Sequence, residues 1–191
     1  MHRLMLTSSA YRMMSAGPDL SEANARIDPE NVTYWHMNPR RMEAEVVRDS
    51  ALYLAGMLEE KMGGEDIDEK DGLKSRRRSL YIRTSPENRA EFLKLFDQPD
   101  PTECYMRSES IMPQQALALA NSSLTMEAAK ALSETFTALD DDRFIAAAFQ
   151  LILGLKPSSD EAAESKRFLG TAARWSLVHA LLNHNEFVTV R

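Results

Sequence analysis

Apolar residues recur every three or four positions along most of the chain, which is typical of amphipathic helices. The strongest pattern follows Asn38-Pro39 and predicts a long helix that ends at Gly63-Gly64. Its predicted buried stripe consists of Val46, Val47, Ser50, Ala51, Leu54, Met57 and Leu58. Asp28-Pro29-Glu30 predicts a shorter helix to about His36, because an acid can cap a helix and proline suits its first position.

Further helices are predicted downstream, from Ser85-Pro86-Glu87 to Phe96 and then over residues 114–120, 124–139, 143–153, 159–169 and 172–184. Residues 65–78 are polar and predict a loop. Helices and strands do not alternate, which argues against a parallel α/β sheet. We therefore predict a mainly α-helical single domain over residues 1–191, with many helices, long irregular loops and at most a small strand pair near 79–84.

The start of the chain has no capping residue before its first apolar position and no secretory signal pattern. No apolar stretch is long enough to predict a membrane-spanning helix. We expect the sequence to be the C-terminal portion of a longer domain in a multidomain protein.

Charge and cysteine content narrow the function classes. The net charge is −6, with 29 acidic and 23 basic residues, so no domain-sized basic surface is expected and nucleic-acid binding is disfavoured. Cys104 is the only cysteine, which excludes an internal disulfide and a haem-attachment motif within this chain. Cys104 is either a passive side chain or a nucleophile that needs a nearby base.

Arginines and acids gather at the start of the predicted long helix. Arg41, Glu45 and Arg48 recur at four- and three-residue spacing, and Asp49 follows Glu45 by four. One interpretation is a site that binds an anion or supports acid–base chemistry. The other is a structural salt-bridge network that fastens irregular segments to the helix.

No metal-ligand pattern stands out. The run from Asp66 to Gly72 is acidic, but a calcium loop would place Lys70 at a ligand position and Arg77 at its last one. The four histidines have no metalloprotease spacing, and the eleven methionines are best explained by core packing. We expect no metal and no cofactor in this chain.

Nine ordered segments resemble the planctomycete-type domain of unknown function 1553. They are TSSAYR (7–12), ARIDPEN (25–31), WHMNPRRMEAEVVRD (35–49), MGG (62–64), RRSLY (77–81), FDQPDPTEC (96–104), PQQALALAN (113–121), LILGLKP (151–157) and LLNHNEF (181–187). The chain departs from the family pattern at Met13-Met14 and in the stretch 107–111. Similar domains form the C-terminal part of large bacterial proteins that often carry a cytochrome-c-like haem domain upstream. The resemblance therefore implies a cell-envelope location, with any haem in the upstream part.

Three functional hypotheses follow. The first is a non-catalytic binding or interaction module of a larger cell-envelope protein associated with a cytochrome-c-like domain. Its candidate residues are Trp35, Arg40, Arg41, Glu45, Asp49, Arg107 and Gln115. The alternative is a fragment of an enzyme that acts on an envelope or polysaccharide substrate, with acid and base drawn from Asp28, Glu43, Glu45 and Asp49. The third is a structural spacer that docks onto the haem domain. The expected partners are the upstream domains of the same polypeptide, a cytochrome-c-like domain among them, with no nucleic acid and no membrane span.

Overall fold

The computed structural model describes residues 1–15, 21–103, 110 and 113–190. These residues are mainly α-helical, which confirms the predicted fold class. They divide into two compact units. We call residues 1–41 with 189–190 the small unit, and Met42–Val188 the large unit.

The small unit contains two short helices and a two-stranded antiparallel sheet. The helices are α1 (His2–Leu6) and α2 (Glu22–Ile27). The strands are β1 (Arg40–Arg41) and β2 (Thr189–Val190), paired so that Arg40 lies opposite Val190. None of the residues in α1 or α2 is buried.

The helix predicted from Asp28 to His36 is wrong, because Asp28 ends α2 instead of starting a helix. The Asp28 carboxylate accepts hydrogen bonds from the backbone N–H groups of Val32 (2.9 Å) and Thr33 (2.8 Å). Asn31 then takes a left-handed conformation (φ 53°), and so does Tyr34. A side chain that bonds to the following backbone competes with helix formation, so the same acid that caps a helix can also close a turn.

The large unit is built from the remaining helices. They are α3 (Ala44–Leu54), α4 (Glu91–Leu95), α5 (Pro113–Asn121), α6 (Ser123–Thr135), α7 (Asp141–Leu153), α8 (Ser159–Leu169) and α9 (Arg174–Leu182). Helix α6 packs against α3 and α9, and α7 packs against α8 and α9. Val47, Leu132, Phe144 and Val178 are almost completely buried between them. This interior supplies the hydrophobic stabilisation of the large unit.

Helix α3 begins later than the Asn38-Pro39 signal predicted and ends before the predicted end at Gly63-Gly64. Its last residue is Leu54, and Gly56 follows the C-cap with a φ of +66°, which suits glycine. The N–H of Met57 donates to the Leu52 carbonyl and that of Gly56 to the Tyr53 carbonyl, which is a Schellman motif. Of the predicted stripe, Val47 and Ala51 are buried, whereas its other positions are half-buried or exposed.

Helix α4, which was predicted to start at Ser85, begins only at Glu91. Helices α5 to α9 lie close to their predicted positions, and the ends of α7 and α8 carry strong local signals. The Asp140 carboxylate accepts from the N–H of Arg143 at the start of α7, and Gly154 ends that helix with φ 71°. Ser158 and Glu161 form a reciprocal capping box at the start of α8.

Residues 79–84 do not form a strand pair. Ser79–Tyr81 is a 3₁₀ turn, and Ile67 makes an isolated parallel bridge with Ile82. Among the described residues, the one sheet is the β1–β2 pair of the small unit.

Candidate functional site

An open groove of about 490 Å³ runs along helix α3 of the large unit. One wall comes from α3 itself, and the others come from the segment around the 3₁₀ turn, the end of α7 and Phe187. We call it the α3 groove. Its residues come from four stretches of the chain that are distant in sequence, so helical periodicity alone could not have assembled it.

The surface of the α3 groove is largely apolar and exposed. Val46 is 44% exposed, Tyr53 64%, Leu80 58% and Leu151 46%. These side chains come together at one place rather than being scattered singly over the surface. A clustered apolar surface of this kind marks an interaction site more often than isolated exposed leucines do.

The charged groups of the groove are two acids and one arginine: Glu45, Asp49 and Arg78. The i, i+4 spacing predicted that Glu45 and Asp49 would share a helix face, and both line the groove. Glu45 is half-buried and already has an interaction within the chain. Neither Arg78 nor Tyr53 was a candidate from the sequence, although Arg78 lies within the RRSLY segment.

Next to Asp49 in α3, the Arg48 side chain is only 1% exposed. Its hydrogen bonds hold the loop of residues 72–79 against the helix. Its guanidinium donates to three loop carbonyls, those of Gly72, Ser75 and Arg77. It also donates to the Ser79 hydroxyl (3.2 Å) and to the Asp49 carboxylate (3.1 Å). Burial lowers the pKa of Arg48, and the Asp49 carboxylate opposes that shift.

Asp49 completes the same network. Its carboxylate accepts from the Ser79 N–H at 2.9 and 3.0 Å and from the Ser79 hydroxyl at 2.6 Å. Both oxygens are therefore occupied by groups of the protein. Arg48 and Asp49 therefore fit the interpretation of the cluster as a structural salt-bridge network. Asp49 helps to hold the loop through its hydrogen bonds with Ser79.

A second arginine fastens the other end of this loop. Arg77 donates to the carbonyls of Gly63 and Glu65, both at 2.6 Å, and its guanidinium lies 4.1 Å from the Tyr81 ring centroid. The Tyr81 hydroxyl in turn accepts from the Gly63 N–H at 2.7 Å. The MGG and RRSLY segments thus contact each other and shape the loop.

Three of the predicted candidates lie in the small unit. Trp35 is half-buried, and its indole N–H donates to the Asp28 carbonyl at 2.9 Å. Arg40 is exposed in β1, and Arg41 is half-buried beside it. Arg41 has an interaction partner within the chain.

Gln115 lies in the large unit but does not line the α3 groove. It is 3% exposed, and its side-chain amide donates to the Leu95 carbonyl (3.0 Å) and the Ser110 carbonyl (3.2 Å). This geometry ties α5 to the end of α4. Arg107 and Cys104 lie outside the described residues.

Over the described ranges, no group of three or more His, Cys, Asp or Glu side chains could hold a metal ion. In the acidic run from Asp66 to Gly72, the Asp66 carboxylate pairs with the Arg83 guanidinium at 2.6 Å. Asp68 accepts from the Lys70 N–H and caps a short 3₁₀ turn. Nor does any described helix have the length and apolar character needed to cross a membrane.

These features define a mainly α-helical domain with an apolar surface groove and an arginine-fastened loop. Residues 1–169 match the profile of the PSD1 family, described as protein of unknown function (DUF1553). The chain belongs to this family, as its motifs predicted. No curated protein and no solved structure matches the chain.

Proposed function

We propose that this domain is a non-catalytic interaction module and that its α3 groove binds an apolar segment of a partner protein. The cluster of exposed apolar side chains on the groove, Val46, Tyr53, Leu80 and Leu151, carries this proposal. Burying such a cluster against a partner releases water from apolar surface, which is the main favourable term in protein association.

The open form of the groove favours a protein segment over a small apolar molecule. Small-molecule sites usually bury most of the ligand surface. Here four lining side chains, those of Val46, Tyr53, Leu80 and Leu151, are 44–64% exposed, so a small ligand would keep one side in water. A partner protein covers that side with its own surface.

The partner that we propose is the upstream part of the same polypeptide in a larger cell-envelope protein. The family resemblance suggests a cytochrome-c-like domain there, which would hold any haem of the full protein. This chain would then contribute the docking surface and no cofactor.

The acid–base alternative is less well supported by the geometry. Glu45 and Asp49 do share the groove, but the Asp49 carboxylate accepts hydrogen bonds from Arg48 and Ser79 through both oxygens. A general acid or base needs an accessible oxygen within reach of the substrate. Loss of activity on Glu45→Gln in the full-length protein, on an envelope glycan, would favour the enzyme hypothesis over ours.

The test is association between the 191-residue chain and the separately expressed upstream part of its polypeptide, measured by isothermal titration calorimetry. Leu151→Asp places a charge in the groove and should weaken binding by at least about tenfold. Leu155→Asp is the matched control, because Leu155 is 49% exposed but does not line the groove. Equal binding by the two variants would contradict the proposal.

Self-association is the competing occupant and needs its own measurement. If sedimentation shows a dimer that Leu151→Asp dissociates and Leu155→Asp does not, the groove belongs to a second copy of this chain. That result would overturn the proposed partner.

A further inference from the structure

The charged residues of the α3 groove indicate the chemistry of its ligand more closely than its apolar surface does. Asp49 is engaged by Arg48 and Ser79, and Glu45 has an interaction within the chain. The Arg78 guanidinium has no hydrogen-bond or ion-pair partner among the side chains that the structure describes, and Arg78 is exposed. The groove therefore presents one uncommitted cation beside two carboxylates that are already engaged.

The backbone that carries Arg78 is fixed on both sides. The preceding carbonyl, that of Arg77, accepts from the Arg48 guanidinium at 3.0 Å. The following residue, Ser79, is held through its N–H and hydroxyl by Asp49. A cation on a fixed backbone loses less conformational freedom when it binds an anion, so the buried network prepares Arg78 for an ion pair.

Tyr53 supplies a second polar contact at the groove. It is 64% exposed, and its hydroxyl has no hydrogen-bond partner among the described side chains. Tyrosine and arginine are enriched at the residues that dominate protein–protein binding energy. Both line the α3 groove beside its exposed apolar side chains.

Resting on the proposed function, we infer that the partner segment carries an acidic side chain next to its apolar residues, and that this carboxylate pairs with Arg78. The apolar side chains of the segment contact Val46, Leu80 and Leu151, while Arg78 sets the direction in which the segment lies. A guanidinium is well suited to this task because its planar N–H groups can bind both oxygens of a carboxylate.

Two dyes test the site chemistry without knowledge of the partner sequence. Anilinonaphthalene sulfonate has an apolar ring system with one sulfonate, and phenylnaphthylamine has the same rings without it. Arg78→Gln should weaken binding of the sulfonate dye by roughly three- to tenfold, as expected for one partly desolvated ion pair, and leave the neutral dye unchanged. Arg76→Gln is the matched control, because Arg76 is exposed and does not line the groove.

The two possible failures are distinguishable. If Leu151→Asp weakens both dyes but Arg78→Gln weakens neither, the groove binds apolar groups and the acidic partner is wrong. If Leu151→Asp and Leu155→Asp behave alike with both dyes, the groove itself is not a binding site and the proposed function fails too.

Displacement of the sulfonate dye then identifies the ligand class. A short leucine-rich peptide with one terminal glutamate should displace the dye more effectively than its glutamine and lysine versions. In Arg78→Glu the order should reverse in favour of the lysine peptide. Displacement by decanoate but by none of the peptides would overturn the inference in favour of a fatty acid, and an order independent of peptide charge would also contradict it.

Discussion

Different interactions stabilise the large unit and the small unit of this protein. Every buried apolar side chain among the described residues belongs to the large unit. In the small unit, the buried side chains within the described ranges are those of Ser15 and Asn31, and both are polar. Hydrophobic burial therefore stabilises the large unit, while hydrogen bonds from side chains to backbone shape the small one.

This difference has an energetic consequence. A hydrogen bond contributes about 0.5–1.5 kcal/mol net, whereas full burial of one large apolar side chain contributes about 1.5–3 kcal/mol. The helices of the small unit are five and six residues long, which is too short for stability on their own. We therefore expect the small unit to open locally at much lower free energy than the large unit.

The largest effect on stability that we expect comes from the buried Arg48 side chain of the large unit and its hydrogen bonds. Arg48→Met should lower the free energy of unfolding by about 3–5 kcal/mol, because it leaves a half-buried carboxylate and several loop carbonyls without their donor. Urea denaturation followed by circular dichroism measures this change. Arg76→Met is the control, because Arg76 is exposed and its change should stay within about 0.5 kcal/mol. A loss below about 1 kcal/mol for Arg48→Met would mean that the loop is held by other contacts.

The next prediction compares matched truncations of apolar residues in the two units. Leu132→Ala removes a side chain that is 1% exposed and should cost about 2–5 kcal/mol by the same measurement. Ile27→Ala in the small unit, where the side chain is 82% exposed, should cost less than about 0.5 kcal/mol. Similar costs for the two variants would refute the contrast between a packed unit and an unpacked one.

A third prediction concerns the buried Asn31 side chain of the small unit. The Asn31 side-chain amide donates to the His36 carbonyl (2.8 Å) and the Asn38 side chain (2.9 Å). The Asn31 side-chain oxygen also accepts from the His36 N–H at 3.3 Å. Asn31→Gly removes all three bonds but still accepts the φ of 53°, so strain does not confuse the result. We expect the local opening free energy of residues 28–38 to fall by about 1–2 kcal/mol, measured by amide hydrogen exchange.

The control for this variant lies in the same unit. Asn24 is exposed in α2, and Asn24→Ala should leave exchange in residues 28–38 unchanged. Global unfolding in urea should be unchanged in both variants, because the core lies in the large unit. A drop in global stability with Asn31→Gly would show that the two units unfold together.

The same contrast between the two units explains which parts of the fold the sequence predicted correctly. Helices α7 and α8 were predictable because a capping acid, a capping box and Gly154 mark their ends locally. In the small unit the local signal misled, since Asp28 has the side chain of a helix cap but bonds to a turn. The left-handed conformation of Asn31 is accompanied by partly buried hydrogen bonds to residues up to seven positions away, which helical periodicity does not report.

The candidate site was predictable to the extent that it lies on one helix. The four-residue spacing correctly placed Glu45 and Asp49 on one side of α3. The opposite wall, with Arg78, Leu80 and Leu151, comes from segments brought close only by tertiary packing. The exposed half of the α3 apolar stripe was the remaining clue, because Val46 looks like a core position by spacing but faces the groove.

The smallest effect that we expect is a pH dependence that separates the two units. Hydrogen bonds from the Thr33 hydroxyl and from the backbone N–H groups of Thr33 and Val32 lower the pKa of Asp28 below its usual value near 3.8. Because this pKa is lower in the folded state, the stabilisation is complete above the usual value and is lost as the pH falls through the folded one. The protection of the Val32 and Thr33 amides, taken as their exchange relative to the intrinsic rate at each pH, should therefore fall below about pH 4, and Asp28→Asn should remove that dependence.

The large unit contains a matched carboxylate that should respond differently. The pKa of Glu161 is likewise lowered, by the N–H and hydroxyl of Ser158 in the capping box of α8. Protonation of Glu161 weakens the hydrogen bonds that its carboxylate accepts from Ser158, but α8 also packs against α7 and α9, and Leu169 contacts the core. We expect the central amides of α8 to stay protected at the acidic pH at which residues 28–38 exchange freely. If α8 lost its protection together with residues 28–38, hydrogen-bonded caps rather than apolar packing would limit the local stability of both units.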